Sequence, residues 1–156
     1  MIRKISDWIF DVDVEATRAH TTLNAADHCT CGYCRNYYDA AAVTHPEMIE
    51  FLEFFGIDYN GPSELMPFEP TMMLACYRVS GKVLQWGHSA LMAGSVPVNV
   101  EISDHGTFLL WVGEVLLPWL QEEAMEDVIS PANLPEFLER MQEVWLQRHG
   151  KESIYS

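Results

Sequence analysis

The 156-residue chain contains no run of about 18 consecutive apolar residues, so no transmembrane helix is expected. Positive charge is scarce: 9 Lys and Arg face 23 Asp and Glu, for a formal net charge of −14. A surface of that sign repels phosphate, which argues against nucleic acids and anionic membranes as partners. It would suit a basic protein partner, though none in particular is indicated. Common catalytic signatures are missing too. No His-Glu-x-x-His occurs, "GHSAL" around Ser89 lacks the second glycine of a nucleophile elbow, and "GKV" at Gly81 lacks the rest of a phosphate loop. The opening stretch "MIRKISDWIFDVDVE" carries Arg3, Lys4, Asp7 and Asp11 and has no uninterrupted apolar segment, so a secretory signal is not expected. The expected compartment is the cytosol, where stable disulfides are rare. No internal repeat, low-complexity tract or linker is visible, and the length suits a single domain over residues 1–156.

Against these absences stand 49% hydrophobic and 12% aromatic residues, ample for a packed core. Residues 8–14, "WIFDVDV", place Phe10, Val12 and Val14 on one side and Asp11 and Asp13 on the other, the pattern of a strand with one wet face. Asp11, Asp13 and Glu15 would then share that face. The glycine and remaining ligands of a calcium loop are missing, so a solvated surface is the simpler reading. "EATRAHTTLNAAD" fits either a short helix or a loop, whereas "CRNYYDAAA" favours a helix. In "THPEMIEFLEFFGID", Pro46 suits a first helical turn, Met48, Ile49, Leu52 and Phe55 recur at helical spacing, and Gly56 can close the helix. Because Pro46 disfavours helix at His45, a break is expected between the two helical pieces.

The second half reads as β-structure. "DYNGPSELMPFEP" is expected to be a loop, and "MMLACYRV" and "KVLQW" to be strands joined by a hairpin turn at Ser80-Gly81. "VPVNVEI" alternates, with Pro97 assigning it to an edge or a bulge. "TFLLWVGEVLL" is apolar on both faces and therefore a central strand, ended by Pro118, with Glu114 its one carboxylate and expected to be partly buried. A last helix is expected from near Asn133, with Glu136 completing a capping box and Leu134, Leu138, Met141 and Trp145 as the buried stripe. Helices, then an antiparallel sheet of about four or five strands, then a helix make an α+β fold with helices packed on one face.

The densest chemistry lies in "DHCTCGYCRNYYDAAA", residues 27–42, where Cys29, Cys31 and Cys34 precede a helix. In an extended segment Cys29 and Cys31 point the same way, and Gly32-Tyr33 can turn Cys34 back toward Cys31. Three converging thiolates supply much of a tetrahedral zinc site, which accepts sulfur and imidazole. Spacing does not give the fourth ligand, since no second Cys-x-x-Cys exists. Cys76, on a strand, and His20, close in sequence, are the leading candidates; His28, His45, His88 and His105 are the others. A redox reading competes, because Cys31-Gly-Tyr-Cys34 sits at a helix start where the dipole and Arg35 favour a thiolate. The antiparallel layout lacks the βαβ setting of a thioredoxin-type pair. Plain packing is the third reading, since free cysteine is among the most buried residue types.

Four stretches in order, "DVDVEATRAH", "CTCGYCRNYYDA", "FLEFFGIDYNGPSE" and "VGEVLLPW", resemble a family of small uncharacterised bacterial proteins with a Cys-x-Cys-x-x-Cys-Arg-Asn signature. The likeness covers roughly residues 10–120. It implies that Cys29, Cys31, Cys34, Arg35 and Asn36 form a family signature, and it implies no activity. The expectation is thus a cytosolic binding or accessory protein, non-enzymatic, with zinc held by Cys29, Cys31 and Cys34 together with Cys76 or His20. The alternative is a thiol-dependent redox enzyme or sensor using Cys31 and Cys34. A hydrolase has only Glu114 and scattered histidines behind it.

Overall fold

The computed structural model describes residues 1–69 and 71–122, so the helix expected from Asn133 lies outside the described residues. The charged opening stretch forms an antiparallel hairpin of β1 (Ile2–Ile5) and β2 (Trp8–Val12), with Ile5 opposite Trp8. The alternating pattern stops before Asp13. Its carboxylate accepts the Ala16 N–H at 3.0 Å and so caps helix α1 (Val14–Ala26). That cap resolves the ambiguous "EATRAHTTLNAAD" as helix. It also removes Asp13 and Glu15 from the strand face they were expected to share with Asp11.

Helices α2 (Gly32–Thr44) and α3 (Pro46–Phe54) meet at His45, whose φ of −129° and ψ of 63° lie outside helical values. This is the break that Pro46 imposes. Gly56, at φ +84°, takes the left-handed position just beyond α3.

The remaining strands are β3 (Glu64–Glu69), β4 (Met72–Gln85), β5 (Leu91–Ala93), β6 (Val96–Ile102) and β7 (Thr107–Leu116). All seven strands join one antiparallel sheet in the order β1-β2-β4-β7-β6-β5, with β3 also paired to β4. The fold is α+β as expected, with more strands than anticipated. One addition is β3, in the stretch read as a loop. Among the described strands β3 pairs with β4 alone, so the missing N–H of Pro67 interrupts no second ladder.

Ser80-Gly81 corrects a second expectation. The chain does not reverse there; β4 runs through it as one strand of 14 residues. Its first part pairs with β3 and its last part with β2, where Val12 lies opposite Gly81. Gly81 sits at φ +150°, and a Cβ at this position would fall 2.1 Å from the Asp11 carbonyl oxygen. The glycine therefore serves a close approach of two backbones and not a hairpin.

Alternation along β4 and β7 produces two buried layers. Met73, Ala75, Tyr77 and Val79, with Phe108, Leu110 and Val112, face the main core. Tyr37 and Ala41 of α2 and Met48, Leu52 and Phe55 near α3 pack against them. The intervening residues Leu74, Cys76, Leu109 and Trp111 join Met66 in a separate cluster. Central position in the sheet thus matches the two-faced apolar run of β7. Within β7 the register slips: Met73 opposes Val115 whereas Ala75 opposes Val112, leaving Gly113-Glu114 as a bulge. The extra residue lets Val112 and Val115 both face the core and turns Glu114 outward, where it is exposed. Glu114 is therefore not the partly buried carboxylate expected, and the hydrolase reading loses its one acid.

Candidate metal centre

Residues 27–31 connect α1 to α2, and Cys31 is the last non-helical residue before α2, with φ −65° and ψ 163°. Cys34 lies three residues on, within the first turn, where N-cap and N3 side chains meet. Cys29 enters from the connecting segment, its sulfur accepting the Cys31 N–H at 3.4 Å. The sulfurs of Cys29, Cys31 and Cys34 all lie within 4.8 Å of one another, positioned to bind a metal ion. Tetrahedral zinc with Zn–S bonds of about 2.3 Å sets its sulfurs roughly 3.8 Å apart, so closure needs little movement. Cys29 and Cys31 are exposed, and Cys34 is buried.

Proximity splits the thiols electrostatically. Cys31 makes no cap hydrogen bond of ordinary geometry. The Cys34 thiol and the N–H groups of Cys34 and Tyr33 nevertheless crowd its sulfur, with the Cys34 S–H the largest influence, and lower it to about 5. Cys34, the donor of that pair and buried, is pushed well above the usual thiol range. Arg35 has a mechanical part as well. Its guanidinium donates to the Thr30 carbonyl at 2.6 Å and approaches Gln121 Oε1 at 3.4 Å, bracing the connecting segment.

The next residues anchor α2. Buried Asn36 donates to the Pro118 carbonyl at 3.0 Å and accepts the Leu120 N–H at 2.7 Å. Asp39 accepts from Gln121 at 2.8 Å, and the Tyr33 ring meets Trp119 edge-on. The segment after β7 thus fixes the helix that presents the cysteines. Nothing in the local sequence announces this clamp, because its two halves are over 80 residues apart.

The candidate fourth ligands fall elsewhere. Cys76 belongs to the cluster of Leu74, Leu109 and Trp111, on the face of the sheet away from α2. His20 lies on α1 with its Nε2 3.4 Å from Asn24 Nδ2. His28 rests against the Tyr38 ring at 4.2 Å, with Nδ1 3.0 Å from the Cys29 carbonyl. His45 Nε2 approaches the Leu116 carbonyl at 2.6 Å, and His105 is exposed in the β6–β7 turn. Among the described residues, no other His, Cys, Asp or Glu joins the three-sulfur group.

Ser89 has a structural explanation. Its hydroxyl and N–H, with the His88 N–H at 2.6 Å, bind the Asp7 carboxylate and hold Asp7 down at about 2. This ties the β1–β2 turn to residues 88–89, and a carboxylate held that low is a poor base toward the serine. Beside the cysteines, Cys29 and Cys34 line a cavity of about 320 Å³ together with Asp27, Tyr38 and Glu64. Sequence reading missed this wall, since Glu64 arrives on β3, far along the chain.

No family model, curated protein or solved structure matches this chain. Among the described residues no helix is long and apolar enough to cross a membrane.

Proposed function

We propose that this is a non-enzymatic cytosolic accessory protein in which Cys29, Cys31 and Cys34 hold a structural zinc ion. The convergence of three sulfurs within 4.8 Å at the start of α2 carries the reading. Zinc supplies what the helix lacks, since α2 has no side-chain cap, and it would pin residues 27–31 to the first turn. All four cysteines are unbridged, as in a reducing compartment. The net charge of −14 suits a basic protein partner, and the family likeness of the Cys-x-Cys-x-x-Cys-Arg-Asn signature belongs to the same proposal. Protein purified without chelator should carry stoichiometric zinc, with the three thiols shielded from a thiol reagent until the metal is removed. Zinc-free protein with freely titrating cysteines sinks the reading.

One observation favours a second reading, thiol redox chemistry. Cys31 is exposed and acidified, and its partner Cys34 is buried and held as the thiol, the division of labour between an attacking and a resolving cysteine. A Cys31–Cys34 reduction potential within the cytosolic range, in a preparation free of metal, would select it over zinc.

A further inference from the structure

Resting on the metal reading, we infer that the ion held by Cys29, Cys31 and Cys34 presents an open fourth position to the adjoining cavity and takes a small cationic thiol there. A zinc ion held by four protein ligands is closed, whereas one held by three keeps a position for an outside ligand while still pinning the helix start. Among the described residues the group stops at three sulfurs. Two of those residues, Cys29 and Cys34, line the cavity, so an ion held by the three sulfurs lies beside that space. Its volume of about 320 Å³ suits a molecule of a few heavy atoms.

The wall selects the ligand. A thiolate-rich zinc ion favours a soft donor, and the sulfur of a small thiol binds as thiolate after releasing its proton to solvent. Three thiolates outweigh the charge of a divalent ion, and Asp27 and Glu64 add carboxylates to the same wall. Asp27 also stands at the C-terminal, negative end of α1. An aminothiol therefore enters with favourable charge, and a thiol bearing a carboxylate enters against it. Among the described residues His28 also lines the cavity and is the imidazole able to close the site instead, by leaving Tyr38 and the Cys29 carbonyl.

The test loads the full reduced chain with Co(II), confirms that the metal stays with the protein on gel filtration, and titrates it with cysteamine or 3-mercaptopropionate. Cysteamine is expected to raise the sulfur-to-cobalt charge-transfer absorption by about one third, as three Co–S bonds become four. Half-saturation should come at roughly tenfold lower concentration than for 3-mercaptopropionate, and Asp27→Asn should narrow that ratio. A cobalt spectrum unchanged by either thiol overturns the open position; if His28→Ala then alters it, the protein's own histidine closes the site. Equal affinity for the two thiols overturns the charge selection. Failure of the chain to hold Co(II) or Zn(II) at all brings down the metal reading itself, and this inference with it.

Discussion

Replacing Cys34 with alanine should move the titration of Cys31 in metal-free protein, and the pH profile reveals it better than any single rate. The Cys34 S–H is the largest influence holding Cys31 near 5 against an ordinary 9.0. At pH 7 a thiol titrating near 5 is roughly 99% thiolate, and one at 9.0 is roughly 1%. The acidified sulfur is also the weaker nucleophile: with a Brønsted coefficient of about 0.45, each thiolate reacts roughly 60-fold more slowly. The two effects nearly cancel at pH 7. At pH 6 the thiolate excess would reach roughly 900-fold for a full return to 9.0; the N–H groups at residues 33 and 34 and the Cys29 side chain remain in the variant, so the native protein should be faster than Cys34→Ala by up to about 15-fold. The assay is stopped-flow exchange with a dipyridyl disulfide, with the modified residue assigned by mass spectrometry. Native protein should level off between about pH 6 and 7, whereas Cys34→Ala keeps accelerating to higher pH. Cys34→Ser, which restores an O–H donor, should recover much of the low midpoint. A Cys34→Ala profile superimposable on the native one refutes the assignment of the Cys34 thiol as the acidifying group.

Three further outcomes follow from the same structure. Because Cys31 is lowered on folding, its thiolate contributes stability fully above the ordinary 9.0 and loses it as pH falls through about 5. Urea unfolding should therefore show the native advantage over Cys31→Ser shrinking from pH 8 to pH 5; an advantage constant with pH contradicts this. In the core, Tyr77 donates to the Tyr59 carbonyl at 2.7 Å and is hydrogen-bonded through its hydroxyl to Tyr37, both rings being fully buried. Tyr37→Phe should cost about 1 kcal/mol, and Tyr77→Phe about 2–4 kcal/mol because it also orphans the Tyr37 hydroxyl. The double variant should be more stable than Tyr77→Phe alone, and thermal melts showing the reverse order would reject that donor assignment. Gly81→Ala should lose more than about 1 kcal/mol, since its Cβ would fall 2.1 Å from the Asp11 carbonyl oxygen. A near-native melting temperature would show that β2 and β4 do not cross as closely as described.

Features governed by neighbours in sequence were legible without a structure. Pro46, Gly56 and the spacing of Met48, Leu52 and Phe55 act within a few residues, so α3 and its break from α2 could be read directly. The meeting of Cys31 and Cys34 is of the same kind, an N-cap and an N3 residue brought together by one helical turn. Long-range pairing decided the rest. Gly81 permits either a turn or a crossing, and only the arrival of β2 against it selected the crossing. The bulge that expels Glu114 exists through its register with Met73 and Ala75, which no local pattern records. Cys76 is a plausible ligand by composition, but strand alternation between two packed layers turns it to the face away from the cysteine cluster. Local chemistry assembled three thiols at one helix start. What they face, a cavity with Asp27 beside them and Glu64 brought across by β3, was decided only when the sheet closed over it.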